Sequence, residues 1–144
     1  MKRRSTVALL LCGCGESVAE RVVLDASALL AFARGEPGAE RVGSMLHLAA
    51  ISAVNAAECI AVLARFMTSR AAEQSVARLG LEVVACNWDV AVVAAEIHAA
   101  TRGRGLSLGD CVCLATAWRL GVPVVTADAA WKGVEVGVEI ELLR

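Results

Sequence analysis

Tyrosine is missing from this sequence, and aromatic residues occupy only 3% of its 144 positions. This composition argues against a surface of stacked aromatic side chains of the kind that binds single-stranded nucleic acid. The formal net charge is −1, so the chain also lacks the basic excess that attracts nucleic acids or anionic membranes to a whole domain. Any contact with nucleic acid must therefore depend on a local site.

Long apolar runs are absent as well. The longest unbroken ones in the body of the sequence have six residues, at 28–33, 59–64 and 90–95, whereas a membrane-spanning helix needs about 18 or more. Hydrophobic residues nevertheless make up 58% of the chain and charged residues 20%, a balance that excludes intrinsic disorder. The length suits one domain of ordinary size. We expect a soluble globular domain with no membrane association.

The six cysteines do not form a zinc-binding pattern. The C-x-C pairs at 12/14 and 111/113 have no histidine near them in the sequence. Cys59, Cys111 and Cys113 lie within apolar helical patterns, where cysteine acts as a small hydrophobic residue. Because the chain can build a large core of alanine, valine and leucine, it does not need a disulfide scaffold. We expect reduced thiols and a cytoplasmic location.

Residues 1–20 differ from the remainder of the chain. Three basic residues at 2–4 precede an apolar stretch at 7–12. This arrangement has the order of a secretory signal peptide, but its six apolar residues are fewer than the usual 7–15. We expect a leader that is disordered or follows a misassigned start codon, and a single domain over residues 21–144.

From residue 21 onward, short apolar strands alternate with longer helical patterns. Strands are predicted at 22–24, 49–52, 81–86 and 122–126, helices at 27–34, 37–48, 54–66, 70–79, 87–102 and 107–120, and a terminal alternating stretch at 134–142. Such alternation is typical of βαβ units. The predicted fold class is therefore α/β, with a mainly parallel central sheet covered by helices on both faces.

Three of the four aspartates stand at strand ends or in a first helical turn. Asp25 and Asp128 directly follow predicted strands, whose carboxyl ends form the ligand crevice of an open parallel sheet. Asp110 opens the helix that begins after Ser107. Each has a structural alternative, because Asp25 and Asp128 suit helix caps or Asx turns and Asp110 suits a capping box with Ser107. The fourth, Asp89, is an ordinary first-turn acid.

Glu58 stands in the middle of a predicted helix. Its neighbours three and four positions away are Val54, Asn55, Ala61 and Val62, a nearly apolar face on which an unpartnered carboxylate is costly to bury. The alternative is a glutamate at the solvent edge of its helix, paired with Arg65. Because Asn55 adds a second polar group on that side, we favour a functional role for Glu58.

Acidic side chains that converge in one crevice repel one another unless a divalent cation neutralises them. Ligand sets made only of oxygen favour Mg²⁺ or Mn²⁺. His47 and His98 lie in helical patterns away from strand ends, so no Ser/His/Asp set competes, and no P-loop or GxGxxG pattern occurs. The compatible chemistry is metal-assisted attack of water on a phosphodiester.

Four acidic segments follow one another along the chain. They are VVLDASALL at 22–30 followed by GEPG at 35–38, the stretch from Ile51 to Glu58, LSLGD with CVCLATA at 106–117, and VVTADAAW at 124–131, before a closing VGVE at 136–139. In this order they resemble the acidic motifs of PIN-domain proteins, and the resemblance is strongest to VapC toxins of bacterial toxin–antitoxin pairs. The resemblance extends from about residue 21 to residue 144. It implies a single PIN-like domain.

The same resemblance implies an endoribonuclease that requires Mg²⁺, or Mn²⁺ in its place, and that forms a homodimer. It implies inhibition by a cognate antitoxin that inserts near the acidic site. The residues that match the family's catalytic and metal-binding acids are Asp25, Glu58, Asp110 and Asp128. Ser27 and Thr126 fall where the family often has hydroxyl residues. Candidates for contacts with RNA phosphates are Arg34, Arg65, Arg102 and Arg104.

Two other functions remain open at this point. A phospho-accepting receiver-like domain also uses acids at strand ends and Mg²⁺, but it needs a lysine directly after a strand, and neither Lys2 nor Lys132 stands in that position. A non-catalytic binding module that keeps the PIN fold is the second, and the four intact acids argue against it.

Overall fold

The computed structural model describes residues 20–144, so the predicted leader falls outside the described residues except for Glu20. The strands of this region are β1 Val22–Leu24, β2 Ala49–Ser52, β3 Glu82–Val84, β4 Val124–Thr126 and β5 Ile140–Leu142. The α-helices are α1 Ala26–Ala33, α2 Ala39–Met45, α3 Ala53–Leu63, α4 Ser69–Ala77, α5 Trp88–Ala100 and α6 Leu108–Leu120. Short 3₁₀ turns cover Leu46–Leu48 and Ala129–Trp131.

The five strands form one sheet in the order β3-β2-β1-β4-β5, and every neighbouring pair is parallel. The predicted α/β class and mainly parallel sheet are confirmed. From β1 the chain first builds outward through β2 to β3 and then crosses to β4 and β5. The order therefore reverses between β1 and β4, where Val23 is in register with Val124. In open parallel sheets, ligands bind at the carboxyl ends of the strands beside such a reversal.

Helices cover both faces of the sheet, as the sequence predicted. The strand residues alternate between the faces: Val23 and Val124 pack with α5 and α6, whereas Leu24 and Val125 pack with α1 and α3. All four side chains are fully buried. Burial of a valine or leucine stabilises a fold by about 1.5–3 kcal/mol per side chain. The two central strands, β1 and β4, are therefore well anchored and hold the residues at their carboxyl ends in place.

Most predicted elements differ from the structure by one to three residues at their ends, and two of them differ in a way that has a clear physical reason. The helix predicted at 37–48 ends at Met45 and continues only as a 3₁₀ turn. The terminal stretch is extended only from Ile140, because Gly133 and Gly137 have φ angles of 75° and 76°. These left-handed conformations interrupt a strand and are most accessible to glycine.

The C-terminus is clasped to the turn between α1 and α2. Gly38 has a φ of 95°, and a Cβ atom at this position would lie 2.4 Å from Cγ of Leu143. Arg41 donates to the carbonyl oxygen of Leu142 at 3.2 Å, and Arg144 pairs with Glu36 at 3.0 Å. The absence of a side chain at Gly38 thus allows Leu143, directly after β5, to pack closely against the turn between α1 and α2.

The helices of the described region are short. The longest, α5 and α6, have 13 residues each, and none in residues 20–144 combines the length and apolar character that crossing a membrane requires.

Candidate acidic metal site

Asp25 lies at the carboxyl end of β1 and caps α1. Its Oδ2 accepts hydrogen bonds from the hydroxyl groups of Ser27 at 2.5 Å and Thr126 at 2.9 Å. The residue is only 3% exposed. Burial raises the pKa of the Asp25 carboxyl, the bonds from Ser27 and Thr126 oppose that rise, and the negative charge of Asp110 adds to it. Asp110 is therefore within electrostatic reach of Asp25.

Asp110 stands in the first turn of α6. It forms a capping box with Ser107: its Oδ2 accepts the Ser107 N–H at 2.7 Å, and its own N–H donates to the Ser107 hydroxyl at 3.1 Å. Burial raises the pKa of the Asp110 carboxyl, the hydrogen bonds from Ser107 oppose this, and the charge of Asp128 raises it further. Asp110 is thus within electrostatic reach of both acids that follow the central strands, Asp25 and Asp128.

Asp128 follows β4 and caps the 3₁₀ turn Ala129–Trp131. Its Oδ1 accepts the Ala130 N–H at 2.9 Å, and its N–H donates to the Thr126 hydroxyl at 3.1 Å. Its side chain is exposed. The Thr126 hydroxyl therefore contacts both acidic loops, because it donates to Asp25 and accepts from Asp128.

Glu58 lies on α3 at the solvent edge of its helix, as the alternative had it, and its functional role stays a prediction. The residue is exposed, so its carboxylate does not carry the burial cost that the apolar neighbours suggested. The proposed partner Arg65 forms no ion pair with it among the described residues; instead, Oε2 of Glu58 accepts from Nδ2 of Asn55 at 3.5 Å. A Cβ atom at Gly109 would lie 3.7 Å from that Oε2, which places Glu58 over the first turn of α6, beside Asp110.

The structural alternative is correct for the three aspartates, which all make capping hydrogen bonds, and their convergence with Glu58 on one metal ion stays a prediction. Each aspartate of the site caps a helix or turn, but does so with one oxygen: Oδ2 of Asp25, Oδ2 of Asp110 and Oδ1 of Asp128. Within residues 20–144, no hydrogen bond reaches the second oxygen of any of the three. Asp89 is separate, because it pairs with Arg119 at 3.4 Å near the other end of α6.

The donor set fits a hard divalent cation such as Mg²⁺. None of the four carboxylates is paired with an arginine, lysine or histidine in the part of the chain that the structure describes, and the donors are all oxygens. No three such side chains of this region already converge on one point. Mg²⁺ keeps several of its water molecules, so the carboxylates can hold the ion partly through water.

Buried thiols lie beneath the acids. Burial, with the charges of Glu58 and Asp25, raises the pKa of the Cys59 thiol to about 12, and burial raises the pKa of the Cys113 thiol well above its ordinary value. Both are therefore neutral at physiological pH and offer no thiolate for a soft metal.

Cys111 contacts His98, a pairing that the sequence did not predict. No histidine stands near Cys111 in the chain, yet its Sγ lies 3.8 Å from Nδ1 of His98, because α5 packs along α6. Two side chains do not complete a zinc site, and this pair lies outside the acidic set.

The four arginines that the sequence offered as RNA contacts differ in their surroundings. Arg34 is engaged with Glu36 at 3.7 Å, whereas Arg65 and Arg102 are exposed and make no ion pair within residues 20–144. Nη2 of Arg104 donates to the carbonyl oxygen of Lys132 at 3.1 Å. Lys132 was not among the predicted site residues. Its position directly after the fourth acidic motif could have identified it as a candidate.

Comparisons with known proteins agree with this fold. The structure is similar to that of DNA-bound VapBC from Salmonella typhimurium, at 19% identity and a TM-score of 0.67 over 87% of this chain and 99% of that one. It is also similar to FitAcB from Neisseria gonorrhoeae, at 23% identity and a TM-score of 0.65 over 85% and 97%.

A third similar structure is VapBC-5 from Mycobacterium tuberculosis, described as a member of the VapBC family of toxin–antitoxin systems, at 26% identity and a TM-score of 0.56 over 86% and 98%. No curated protein sequence gives a significant match. The PIN domain profile matches residues 22–136, from the first strand past the fourth acidic motif. The chain belongs to the PIN domain family.

Proposed function

We propose that this protein is a VapC-type toxin, an endoribonuclease that uses Mg²⁺, or Mn²⁺ in its place, to hydrolyse RNA phosphodiester bonds. One observation carries the proposal: four carboxylates from separate parts of the chain stand at one edge of the sheet, and none has a cationic partner among the described residues. The four are Asp25, Glu58, Asp110 and Asp128.

The protein's own residues prepare this site in distinct ways. Oδ2 of Asp25 is held by two hydroxyl groups, which orient the carboxylate and favour its ionised form. The caps made by Asp110 and Asp128 fix those side chains in the same manner. A bound Mg²⁺ supplies charge neutralisation at a phosphate oxygen and lowers the pKa of a coordinated water. Because the carboxylates are already held in place in the folded protein, binding of the ion costs less conformational entropy.

Substrate contacts beyond the acids require positive charge, because RNA phosphates and carboxylates repel each other. Arg104 lies three residues before Ser107, and Lys132 lies four residues after Asp128. Their Cα atoms are therefore at most about 11 and 14 Å from those of Ser107 and Asp128. Both side chains are exposed, and neither pairs with an acid in residues 20–144. These two cations are our preferred phosphate contacts.

The proposed partners are a cognate antitoxin and a second copy of the chain. An antitoxin that places an arginine or lysine near Asp25 and Asp110 would compete with Mg²⁺ for the same charge. In support, several similar structures are toxin–antitoxin complexes, including one from Klebsiella pneumoniae. Phe66 and Trp88 are 76% and 80% exposed, and association with another chain would remove such apolar surface from water.

The experiment is cleavage of single-stranded RNA by the purified protein in Mg²⁺ and in EDTA, with DNA of the same sequence in parallel. We expect cuts in RNA only, in Mg²⁺ only, and suppression by the antitoxin at near-equal stoichiometry. RNA that is bound but never cut in either Mg²⁺ or Mn²⁺ would instead establish a non-catalytic binding module.

A further inference from the structure

Asn55 is a fully buried polar residue between the acidic side chains and the core. It lies in the first turn of α3 and is 0% exposed. Its backbone N–H donates to the Ser52 hydroxyl at 3.0 Å, and that hydroxyl donates in turn to Oδ1 of Asn55. Because Oδ1 of Asn55 accepts this hydrogen bond, the amide group has one orientation, and its Nδ2 points away from Ser52.

Nδ2 of Asn55 meets two acceptors that belong to different helices. It lies 3.5 Å from Oε2 of Glu58 on α3 and 3.4 Å from the carbonyl oxygen of Gly109 in α6. An amide nitrogen carries two protons, so one side chain serves both acceptors. The residue that follows Gly109 is Asp110. Asn55 therefore bridges the helix that carries Glu58 and the helical turn that carries Asp110.

We infer that Asn55 is a positioning residue of the acidic site: it holds the Glu58 carboxylate and fixes the first turn of α6 beside it, so that Glu58 and Asp110 keep one separation. This inference rests on the proposed function. Only an amide of this size supplies both donors and the acceptor for Ser52. Leucine has the same branched shape, although it is larger, and supplies neither donors nor an acceptor, and aspartate places an acceptor where both neighbours are acceptors.

A matched control is available in Thr116. It is also fully buried, and its hydroxyl donates only to the carbonyl oxygen of Val112 in its own helix, at 2.8 Å. Thr116→Val removes a buried hydrogen bond without touching any acid of the site. Both Thr116→Val and Asn55→Leu are therefore expected to lower the stability of the fold. Only Asn55→Leu is expected to disturb the position of the acidic side chains as well.

The test compares Asn55→Leu, Thr116→Val and the parent by Mg²⁺ titration followed through melting temperature, and by kcat and KM for RNA. We expect Asn55→Leu to weaken Mg²⁺ binding at least tenfold and to lower kcat at least tenfold, with KM within threefold of the parent. Thr116→Val should leave all three quantities within twofold. If Asn55→Leu does not fold, Asn55→Thr, which retains one hydroxyl donor, should show the same losses at about half the logarithmic size.

The result that overturns the inference is an Asn55 variant that is destabilised but retains the parent's Mg²⁺ affinity and kcat within twofold, since that is a purely structural role. Failure of the proposed function looks different. In that case the parent itself neither gains stability from Mg²⁺ nor cleaves RNA, before any variant is compared.

Discussion

The hydroxyl oxygens of Ser27 and Thr126 lie 3.1 Å apart although the two residues are 99 positions apart in the sequence. Each hydroxyl donates to the same oxygen of Asp25, at 2.5 and 2.9 Å. Each also accepts a backbone N–H of the loop after β4, Ser27 from Ala127 at 2.9 Å and Thr126 from Asp128 at 3.1 Å. A hydrogen-bond network around one oxygen of a buried carboxylate thus joins the two chain segments at the point where the strand order reverses.

This network makes the pH dependence of activity sensitive to Thr126. Thr126→Val removes a hydrogen bond that favours ionised Asp25, so the pKa of Asp25 rises further above its ordinary value. The acidic limb of the kcat/KM profile should move to higher pH, with activity several-fold below the parent at pH 6 and closer to it at pH 8. Thr116→Val serves as the control. An acidic limb that stays at the parent's pH would separate Thr126 from the ionisation of Asp25.

The charge of Asp25 should cost the metal-free protein stability. Burial raises its pKa, so the folded state binds the proton more tightly than the unfolded chain, and stability falls as pH rises from about 4 through the raised pKa. Asp25→Asn removes this loss and keeps an oxygen for Ser27 and Thr126. Urea unfolding in EDTA should show the variant gaining on the parent between pH 4 and pH 7.5. Parallel stability curves would contradict the prediction.

The two cations near the acids should act through substrate binding. Arg104→Ala or Lys132→Ala should raise KM for RNA several-fold with little change in kcat, and each should reduce the slope of log KM against log salt by about 0.7. Arg119→Ala removes the same charge at the far end of α6, where Arg119 pairs with Asp89, and should change neither quantity. Equal effects of all three variants would point to net charge alone.

The clasp at the C-terminus yields a stability prediction. Gly38→Ala combines an unfavourable φ of 95° with a Cβ placed 2.4 Å from Leu143, whereas Gly80→Ala has only an unfavourable φ of 66° and open space. We expect a loss of about 1–2 kcal/mol for Gly80→Ala and about 3 kcal/mol or more for Gly38→Ala. Urea unfolding of both variants measures the difference, and equal losses would show that Leu143 moves aside freely.

Local sequence patterns were sufficient for the fold because its elements are marked by local signals. Asp25, Ser52 and Ser107 each cap the helix that follows, and Gly121 ends α6 with a φ of 68°. Strand order is a tertiary property and was not predicted, since it depends on which faces the helices bury together. The glycines that shorten the last strand were visible, but their φ angles were not.

The residues of the acidic site were predictable from the sequence, whereas their burial and their hydrogen-bond partners were less so. Strand ends placed Asp25 and Asp128 correctly, because parallel strands share one carboxyl edge. Glu58 was taken for a buried acid, since its sequence neighbours are apolar and the openness of the crevice above α3 cannot be read from them. Asn55 was visible only as a second polar residue, because its bond to Gly109 spans 54 positions.

The most direct measurement is RNA cleavage by the parent and Asp110→Asn in Mg²⁺, with melting curves of both proteins in Mg²⁺ and EDTA to confirm the fold. Ser107 is the N-cap of α6, and an asparagine oxygen at position 110 can still accept its backbone N–H. The substitution also removes a negative charge that burial and Asp128 disfavour, so the variant should be at least as stable as the parent in EDTA. It should nevertheless lose at least a hundredfold in cleavage rate and most of the stabilisation by Mg²⁺, because the cation loses a charge that it needs. An Asp110→Asn protein that still cuts RNA and gains as much stability from Mg²⁺ as the parent would show that Asp110 serves only the capping box with Ser107 and is not a metal ligand, which would contradict the four-acid site.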